Sequence, residues 1–170
     1  MHRCLSAPFT ACLLLLCLTI PAPATAAKSD CDRVRGSAQG TAISQNMFLV
    51  AFTGSFSATS TATLLEQTQG GDGAIRATTS HVFEINDGST NGDGQCAAGE
   101  NCFTTLDRAV LTPTDTPGLF RLNSHMAIVG GSGTYEDACG KLVAHGFINF
   151  AAGPPTVEWR LSGRVCDCGE

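Results

Sequence analysis

Apolar and polar residues alternate with a period of two along most of the chain, and helical periodicity is almost absent. The clearest stretch is 157–165, where the apolar residues Val157, Trp159 and Leu161 share one face. The charged residues between them share the opposite face. This alternation is typical of a β-strand with one buried side.

The same alternation predicts further strands over residues 33–43, 47–56, 74–85, 103–112, 119–129 and 142–150. Clusters of Gly, Pro, Asn and Asp between them are turn signals. The Thr-rich stretch 55–63 favours extended structure, whereas 64–67 fits either a helical turn or a strand end. Strands with one apolar face and no covering helices must close on themselves, which predicts an all-β barrel or sandwich.

The N-terminal segment has the three regions of a secretory signal: a basic start, an apolar run over 11–20 and the small-residue site Ala24-Thr25-Ala26. The apolar run is shorter than the ~20 residues that a transmembrane anchor needs. We therefore predict a signal peptide over residues 1–26 and one domain over 27–170, secreted or periplasmic. No other segment predicts a membrane span.

The formal net charge of −5 indicates which partners are excluded. An acidic domain has no electrostatic attraction for nucleic acid or for an anionic membrane surface. We expect neither as a partner, and no sequence motif points to a cofactor.

Six cysteines follow the predicted signal peptide, an even number that predicts three disulfides in an exported chain. Cys96 and Cys102 bracket a short loop and form the expected local pair. An even-stranded antiparallel barrel brings its two ends together, so we expect Cys31 to pair with Cys166 or Cys168, leaving Cys139 for the other. The alternative is a zinc site built on Cys166 and Cys168.

Residues 128–140, Ile-Val-Gly-Gly-Ser-Gly-Thr-Tyr-Glu-Asp-Ala-Cys-Gly, carry a recognisable motif. It resembles the Gly-Gly-Thr-Gly-x-Phe-x-x-Ala-x-Gly signature of the dirigent and allene oxide cyclase β-barrel superfamily, most closely its small exported bacterial members. The resemblance covers about 103–166. It implies a disulfide-braced antiparallel β-barrel of about eight strands with an apolar cavity, which in plant members holds phenolic radicals or a fatty-acid epoxide. It also implies that a homo-oligomer can form, because family members associate as dimers or trimers.

The motif has a structural interpretation. We expect the strand to end at Ile128 and the chain to reverse through three glycines that permit positive φ. The aromatic residue and the alanine then fold inward as a plug, and the last glycine lets the next strand pass closely. The motif residues are Gly130, Gly131, Gly133, Tyr135, Ala138 and Gly140.

Several apolar residues share the predicted inner face of the barrel and are expected to contact a small apolar ligand. The predicted cavity measures a few hundred cubic ångströms or more. The predicted ligand-binding residues are Phe48, Phe52, Phe83, Phe120, Met126 and Trp159, with Ile75 beside them.

His81 shares its predicted face with Phe83 and Ile85, so it points into the barrel. A buried histidine can act as an acid or base near neutral pH. The alternative is a core histidine hydrogen-bonded to backbone or to Tyr135. His125 falls on a polar face, and His145 is ambiguous.

Asp107 and Arg108 are neighbours on one predicted strand and must face opposite ways. The inward one would need a charged partner such as Glu84 or Arg76. Alternatively they form a surface ion pair of small energetic value. Together with His81, these two residues are the catalytic candidates.

The loop 87–95 resembles a calcium loop in part. Asp87, Asn91 and Asp93 supply oxygen ligands, and Gly92 occupies the sixth place from Asp87, but the acid required at the twelfth place is missing. The alternative is a solvated hairpin tip held by Cys96 and Cys102.

Three functions therefore compete. The chain predicts an exported barrel that binds a small apolar ligand or serves as a structural and interaction module. The alternative is a cyclase or dirigent-type isomerase that acts on an apolar substrate in the same cavity. No nucleophile elbow or dinucleotide fingerprint favours another enzyme class.

Overall fold

The protein is described by a computed structural model that covers residues 31–88, 91–97 and 99–169. The predicted signal peptide, 1–26, lies outside the described residues. Within them, no helix has the length and hydropathy that a bilayer-spanning helix requires.

Eight antiparallel strands form a closed barrel in which each strand pairs with the next and the last pairs with the first. The predicted all-β fold and the antiparallel barrel are confirmed, and the sandwich is not found. The strands are β1 (Cys31–Ala42), β2 (Met47–Gly54), β3 (Ser57–Gln69), β4 (Ile75–Ile85), β5 (Cys102–Pro113), β6 (Leu119–Ser132), β7 (Ala138–Asn149) and β8 (Thr156–Asp167).

The stretch that the sequence left open, 64–67, belongs to β3. Its pairing with β4 shifts register between Leu64 and Glu66, which leaves Leu65 opposite no partner residue and exposed. This β-bulge interrupts the period-two alternation, and the interruption explains why the sequence fitted a helical turn as well as a strand.

The prediction that a strand ends at Ile128 is wrong, because β6 continues to Ser132. Gly130 and Gly133 do have positive φ, of 152° and 61°. Gly131 does not, and its role is close approach: a Cβ there would collide with the backbone of Cys102 and of Tyr135. The reversal is made by a short 3-10 turn at Gly133–Tyr135 rather than directly after Ile128.

One half of the barrel interior, at the end that carries this 3-10 turn, is filled by large side chains. The rings of Phe83 and Phe103 stack with centroids 4.8 Å apart, and Tyr135 packs 5.6 Å from Phe103. The fully buried side chains here are Phe52, Phe83, Phe103, Met126 and Leu142. Ala138 is also buried, and Gly140, at φ 131°, allows close passage beside the Arg164 carbonyl. We call this region the closed half.

Three disulfides lie at the same end: Cys31–Cys166, Cys96–Cys102 and Cys139–Cys168. The predicted pairing is confirmed, and of the two partners left open for Cys31 the structure has Cys166, with Cys168 bonded to Cys139. These two residues are also direct partners in the ladder between β1 and β8. All six cysteines that follow the predicted signal peptide are disulfide-bonded, so the zinc alternative is wrong. The described residues contain no cluster of metal-ligating side chains.

The β4–β5 connection folds back over the outer surface of the barrel. Glu84 faces outward from β4, yet this connection covers it completely. Its carboxylate accepts hydrogen bonds from the Gly92 and Gly94 amides, both at 2.6 Å. Gln95 donates to the Thr61 hydroxyl on β3. Gly94 is therefore held against the barrel, whereas residues 86–88, 91–93 and 95–97 are exposed. The predicted solvated loop held by Cys96 and Cys102 is found, with Gly94 as its one buried described residue.

The calcium candidates in this connection use their side chains for local hydrogen bonds. Asn91 Oδ1 accepts from the Asp93 amide, and Asp93 Oδ1 accepts from the Gln95 amide, each at 2.8 Å. Asp87 accepts from the Asn101 side chain. The first two are the Asx turns that Asn and Asp commonly form in loops, and the third joins the two ends of the connection.

Candidate functional site

The other half of the barrel, which we call the open half, contains a cavity of about 140 Å³. Its wall is mainly apolar and includes Phe48, Val50, Leu111, Leu122, Ile148 and Val157. Gln45 and Asn46, from the exposed β1–β2 turn, border it at the surface. The cavity is smaller than the few hundred cubic ångströms expected, because the large side chains of the closed half occupy the rest of the interior.

The cavity exists because neighbouring strands present small side chains to the interior. Ala109 on β5 pairs directly with Ala77 on β4 and with Ser124 on β6. Ala62 on β3 also lines the space. Barrel interiors of this size are normally filled by side chains, so a run of small inward residues leaves room for a ligand.

His81 lies in the cavity wall and is only 5% exposed. Its ring lies between Phe83 and Trp159, with centroid distances of 5.6 and 5.0 Å. Its Nε2 is 3.2 Å from Asp107 Oδ2, and its Nδ1 is 3.4 Å from the Ser60 hydroxyl. The predicted inward orientation is found, but the hydrogen-bond partners are Asp107 and Ser60 rather than Tyr135.

Asp107 is the inward member of its pair and is completely buried, whereas Arg108 is exposed. The prediction that Glu84 or Arg76 is its partner is wrong. Asp107 instead accepts hydrogen bonds from the Thr105 hydroxyl at 2.6 Å and the Thr79 hydroxyl at 3.2 Å, and contacts His81. The register of β4 against β5 brings these four side chains together, since Thr79 pairs directly with Asp107 and His81 pairs with Thr105.

Burial shifts the titration of both members of this pair. It raises the pKa of Asp107 to about 7, although the hydrogen bonds from Thr105 and Thr79 act in the opposite direction. It lowers the pKa of His81 to about 3. Both shifts disfavour charge in the barrel interior. Between about pH 3 and pH 7 the uncharged pair is therefore favoured, with the proton on Asp107 and His81 neutral.

Ser60, His81 and Asp107 form a hydrogen-bonded chain of the residue types used by serine hydrolases. The arrangement does not fit that chemistry, because Ser60 is fully buried and is not part of the cavity wall. A nucleophilic hydroxyl must reach the reacting carbonyl, and the aspartate of such a triad stays ionised. We interpret Ser60 as a hydrogen-bond partner that helps to fix the His81 ring.

Two residues of the cavity wall carry polar atoms with no hydrogen-bond partner among the described residues. They are Ser124 Oγ and Trp159 Nε1. Both side chains are almost completely buried, at 2% and 4% exposure. Buried polar atoms are nearly always paired in folded proteins, so these two mark the part of the wall that is suited to a polar group.

The predicted ligand-contacting residues divide between the two halves of the barrel. Phe48, Trp159 and Ile75 line the cavity. Phe52, Phe83 and Met126 are buried in the closed half, away from the cavity wall. Phe120 packs at 5.5 Å against Phe150, an exposed residue at the cavity border.

The two remaining histidines lie outside the cavity, and two polar residues of its wall were not predicted. His125 and His145 are exposed. Sequence reasoning missed Ser124. It is two residues from both Leu122 and Met126, so the alternation along β6 places it on the same inward face and could have identified it. Thr79 was missed as well, because hydroxyl residues carry no hydrophobic pattern.

Comparisons with protein-family models, with curated proteins and with solved structures find no match to this chain.

Proposed function

We propose that the protein binds a small, largely apolar molecule in the open half of its barrel. The observation that carries this proposal is the mainly apolar cavity of about 140 Å³, reaching the surface beside the β1–β2 turn. An engineered cavity of about 150 Å³ in another protein takes up benzene. A ligand of about one ring therefore matches the enclosed space, and a short substituent on it would extend toward the opening beside Gln45 and Asn46.

The single tryptophan of the chain, Trp159, provides a direct assay because it lines the cavity. Titration of ¹⁵N-labelled, oxidised protein with α-methylstyrene is expected to shift the one indole N–H resonance saturably. Replacing Ala109 with Leu adds three carbon atoms to the cavity and should weaken binding at least tenfold, since overfilling a packed interior is unfavourable.

Leu106→Phe is the matched control, since Leu106 lies on the same strand but faces outward and is 46% exposed. Its affinity should equal that of the wild type. Equal binding to the Ala109→Leu variant, with the fold intact by circular dichroism, would place the ligand outside the cavity and defeat the proposal.

The barrel, its small cavity and the glycine motif at 130–140 are the features that support a proposed relationship to the dirigent and allene oxide cyclase superfamily. The three disulfides support a further proposal, that the protein works in an oxidising compartment outside the cytoplasm. The signal peptide expected over residues 1–26 agrees with export.

A cyclase or isomerase is the second candidate, and the His81–Asp107 pair favours it. His81 reaches the cavity, and the pKa of about 7 for Asp107 lies where a group can both give and take a proton near neutral pH. For this step His81 Nδ1 would exchange its long 3.4 Å contact with Ser60 for the ligand and take a proton from one carbon. Its Nε2 would pass a proton to the ionised form of Asp107, and the reverse transfer would return a proton to the second carbon.

Isomerisation of 3-cyclohexenone to the conjugated 2-cyclohexenone tests this second candidate, since it removes a proton at one carbon and adds one at another. The protein is expected to accelerate the reaction, followed by ultraviolet absorbance. His81→Gln should abolish the acceleration while leaving α-methylstyrene binding in place. A wild-type rate equal to the buffer rate would reject the enzyme hypothesis for this reaction type without affecting the binding proposal.

A further inference from the structure

The Trp159 indole can only donate a hydrogen bond, never accept one. Its Nε1 is buried and has no acceptor among the described residues. An unpaired donor in an apolar wall is unfavourable, and a ligand that brings an acceptor removes this cost. The wall therefore favours ligands with an acceptor atom over purely hydrocarbon ligands.

Ser124 adds a second group of the same kind. Its direct neighbours on the flanking strands are Ala109 on β5 and Ala144 on β7, whose side chains cannot form hydrogen bonds. Its hydroxyl is consequently unpartnered, at 2% exposure. Ser124 and Trp159 both belong to the wall of the same cavity.

The charge of the wall restricts the ligand further. No Asp, Glu, Lys or Arg is among the described residues that line the cavity, and the one titratable group there, His81, is already bound to Asp107. A carboxylate or an ammonium group would enter without a counter-ion, which is strongly unfavourable in an apolar site. The ligand should therefore be neutral.

We infer that the cavity selects small neutral carbonyl compounds, whose oxygen accepts hydrogen bonds from Trp159 Nε1 and Ser124 Oγ. A carbonyl oxygen has two lone pairs and no hydrogen, so it can satisfy both donors without introducing a new unpaired group. A ligand hydroxyl brings a third hydrogen, and if it donates to Ser124 Oγ, the hydroxyl hydrogen of Ser124 is left without an acceptor. This inference rests on the proposed binding function and specifies its ligand class.

Acetophenone and α-methylstyrene form a matched probe pair, because they have nearly the same shape and differ by C=O against C=CH₂. Binding to the oxidised protein is followed by calorimetry and by the Trp159 indole N–H resonance. Both probes are expected to shift this resonance, but only acetophenone is expected to move it downfield, as a new hydrogen bond does. Ser124→Ala should reduce the affinity for acetophenone roughly three- to tenfold, with no loss for α-methylstyrene.

Trp159→Phe, measured by calorimetry alone, should reduce the acetophenone preference in the same way while keeping an aromatic ring in place. If this variant fails to fold, the wild-type indole shift and Ser124→Ala decide the question. Equal binding of both probes, with no downfield shift and no effect of Ser124→Ala on their affinity ratio, overturns the carbonyl inference and leaves apolar binding standing. Failure of both probes to bind overturns the proposed function, and the inference with it.

Discussion

Replacing Cys31 and Cys166 together with alanine is expected to lower the free energy of unfolding by about 5 kcal/mol. This disulfide closes a loop of 135 residues of sequence separation. In the chain-entropy description, a cross-link stabilises a protein by restricting its unfolded chain, and the effect grows with the logarithm of the loop length. A loss of this size is comparable to the whole stability of many single domains.

The other two disulfides provide an internal series for this prediction. Cys139–Cys168 spans 29 residues and Cys96–Cys102 spans 6. The same relation gives losses of about 3.6 and about 2.2 kcal/mol for their double alanine variants. Urea denaturation of the three variants and the wild type, monitored by Trp159 fluorescence and circular dichroism, gives the three values.

The order of the losses tests the mechanism. The variant that lacks Cys31 and Cys166 should also show the largest rise in the dependence of unfolding free energy on urea, since its unfolded chain exposes the most additional surface. Three equal losses would show that local packing around each cystine, rather than loop length, sets its contribution.

The sequence predicted the strands well where one face is strongly apolar. In β6 and β8, large apolar residues alternate with charged or polar ones, and both strands are found with their expected inward faces. The prediction was weakest in β3, where the inward residues are Ala58, Ser60 and Ala62. Small and hydroxyl side chains carry little hydrophobic signal, although they face the interior as fully as leucine does.

The contents of the candidate site could be predicted only in part, for a related reason. Alternation alone indicated that His81 faces inward, and one of Asp107 and Arg108 had to do the same. Their contacts depend on the register of β4 against β5, which places Thr79 opposite Asp107. Many registers satisfy the same alternation, so the His81–Asp107 contact could not be read from the sequence.

The division of the barrel into a closed and an open half was also beyond the sequence. Phe52, Phe83 and Phe48 have the same inward character in the pattern, yet only Phe48 lines the cavity. What separates them is their height along the barrel, and this depends on the stagger of all eight strands. A prediction from residue type alone therefore assigned too many aromatic side chains to the ligand.

Single replacements of the His81–Asp107 pair are expected to change the pH dependence of stability in opposite directions. Asp107 has a folded pKa of about 7, against 3.8 for an unperturbed aspartate, so the folded state binds the extra proton between these pH values. Its contribution to stability is present at low pH and is lost as the pH rises toward 7. His81, with a folded pKa of about 3 against 6.5, does the reverse: its contribution is lost as the pH falls from 6.5 toward 3.

In the wild type the two contributions nearly cancel between about pH 4 and 6.5, since folding there moves a proton from His81 to Asp107 without net uptake. Asp107→Asn removes only the first contribution. Its stability relative to the wild type should therefore rise with pH, by about 1.4 kcal/mol per pH unit across this window. His81→Gln removes only the second, and its relative stability should fall with pH by a similar amount.

Urea denaturation at half-unit pH steps from 4 to 6.5 measures both slopes, and taking differences from the wild type cancels groups that the proteins share. The double variant, Asp107→Asn with His81→Gln, is the control: it lacks both contributions, so its difference from the wild type should stay constant with pH. Single-variant differences that also stay constant would contradict the displaced pKa values and remove the basis for acid–base chemistry at this site. Opposite slopes would show that burial holds one mobile proton beside the cavity, where a bound carbonyl compound could encounter it.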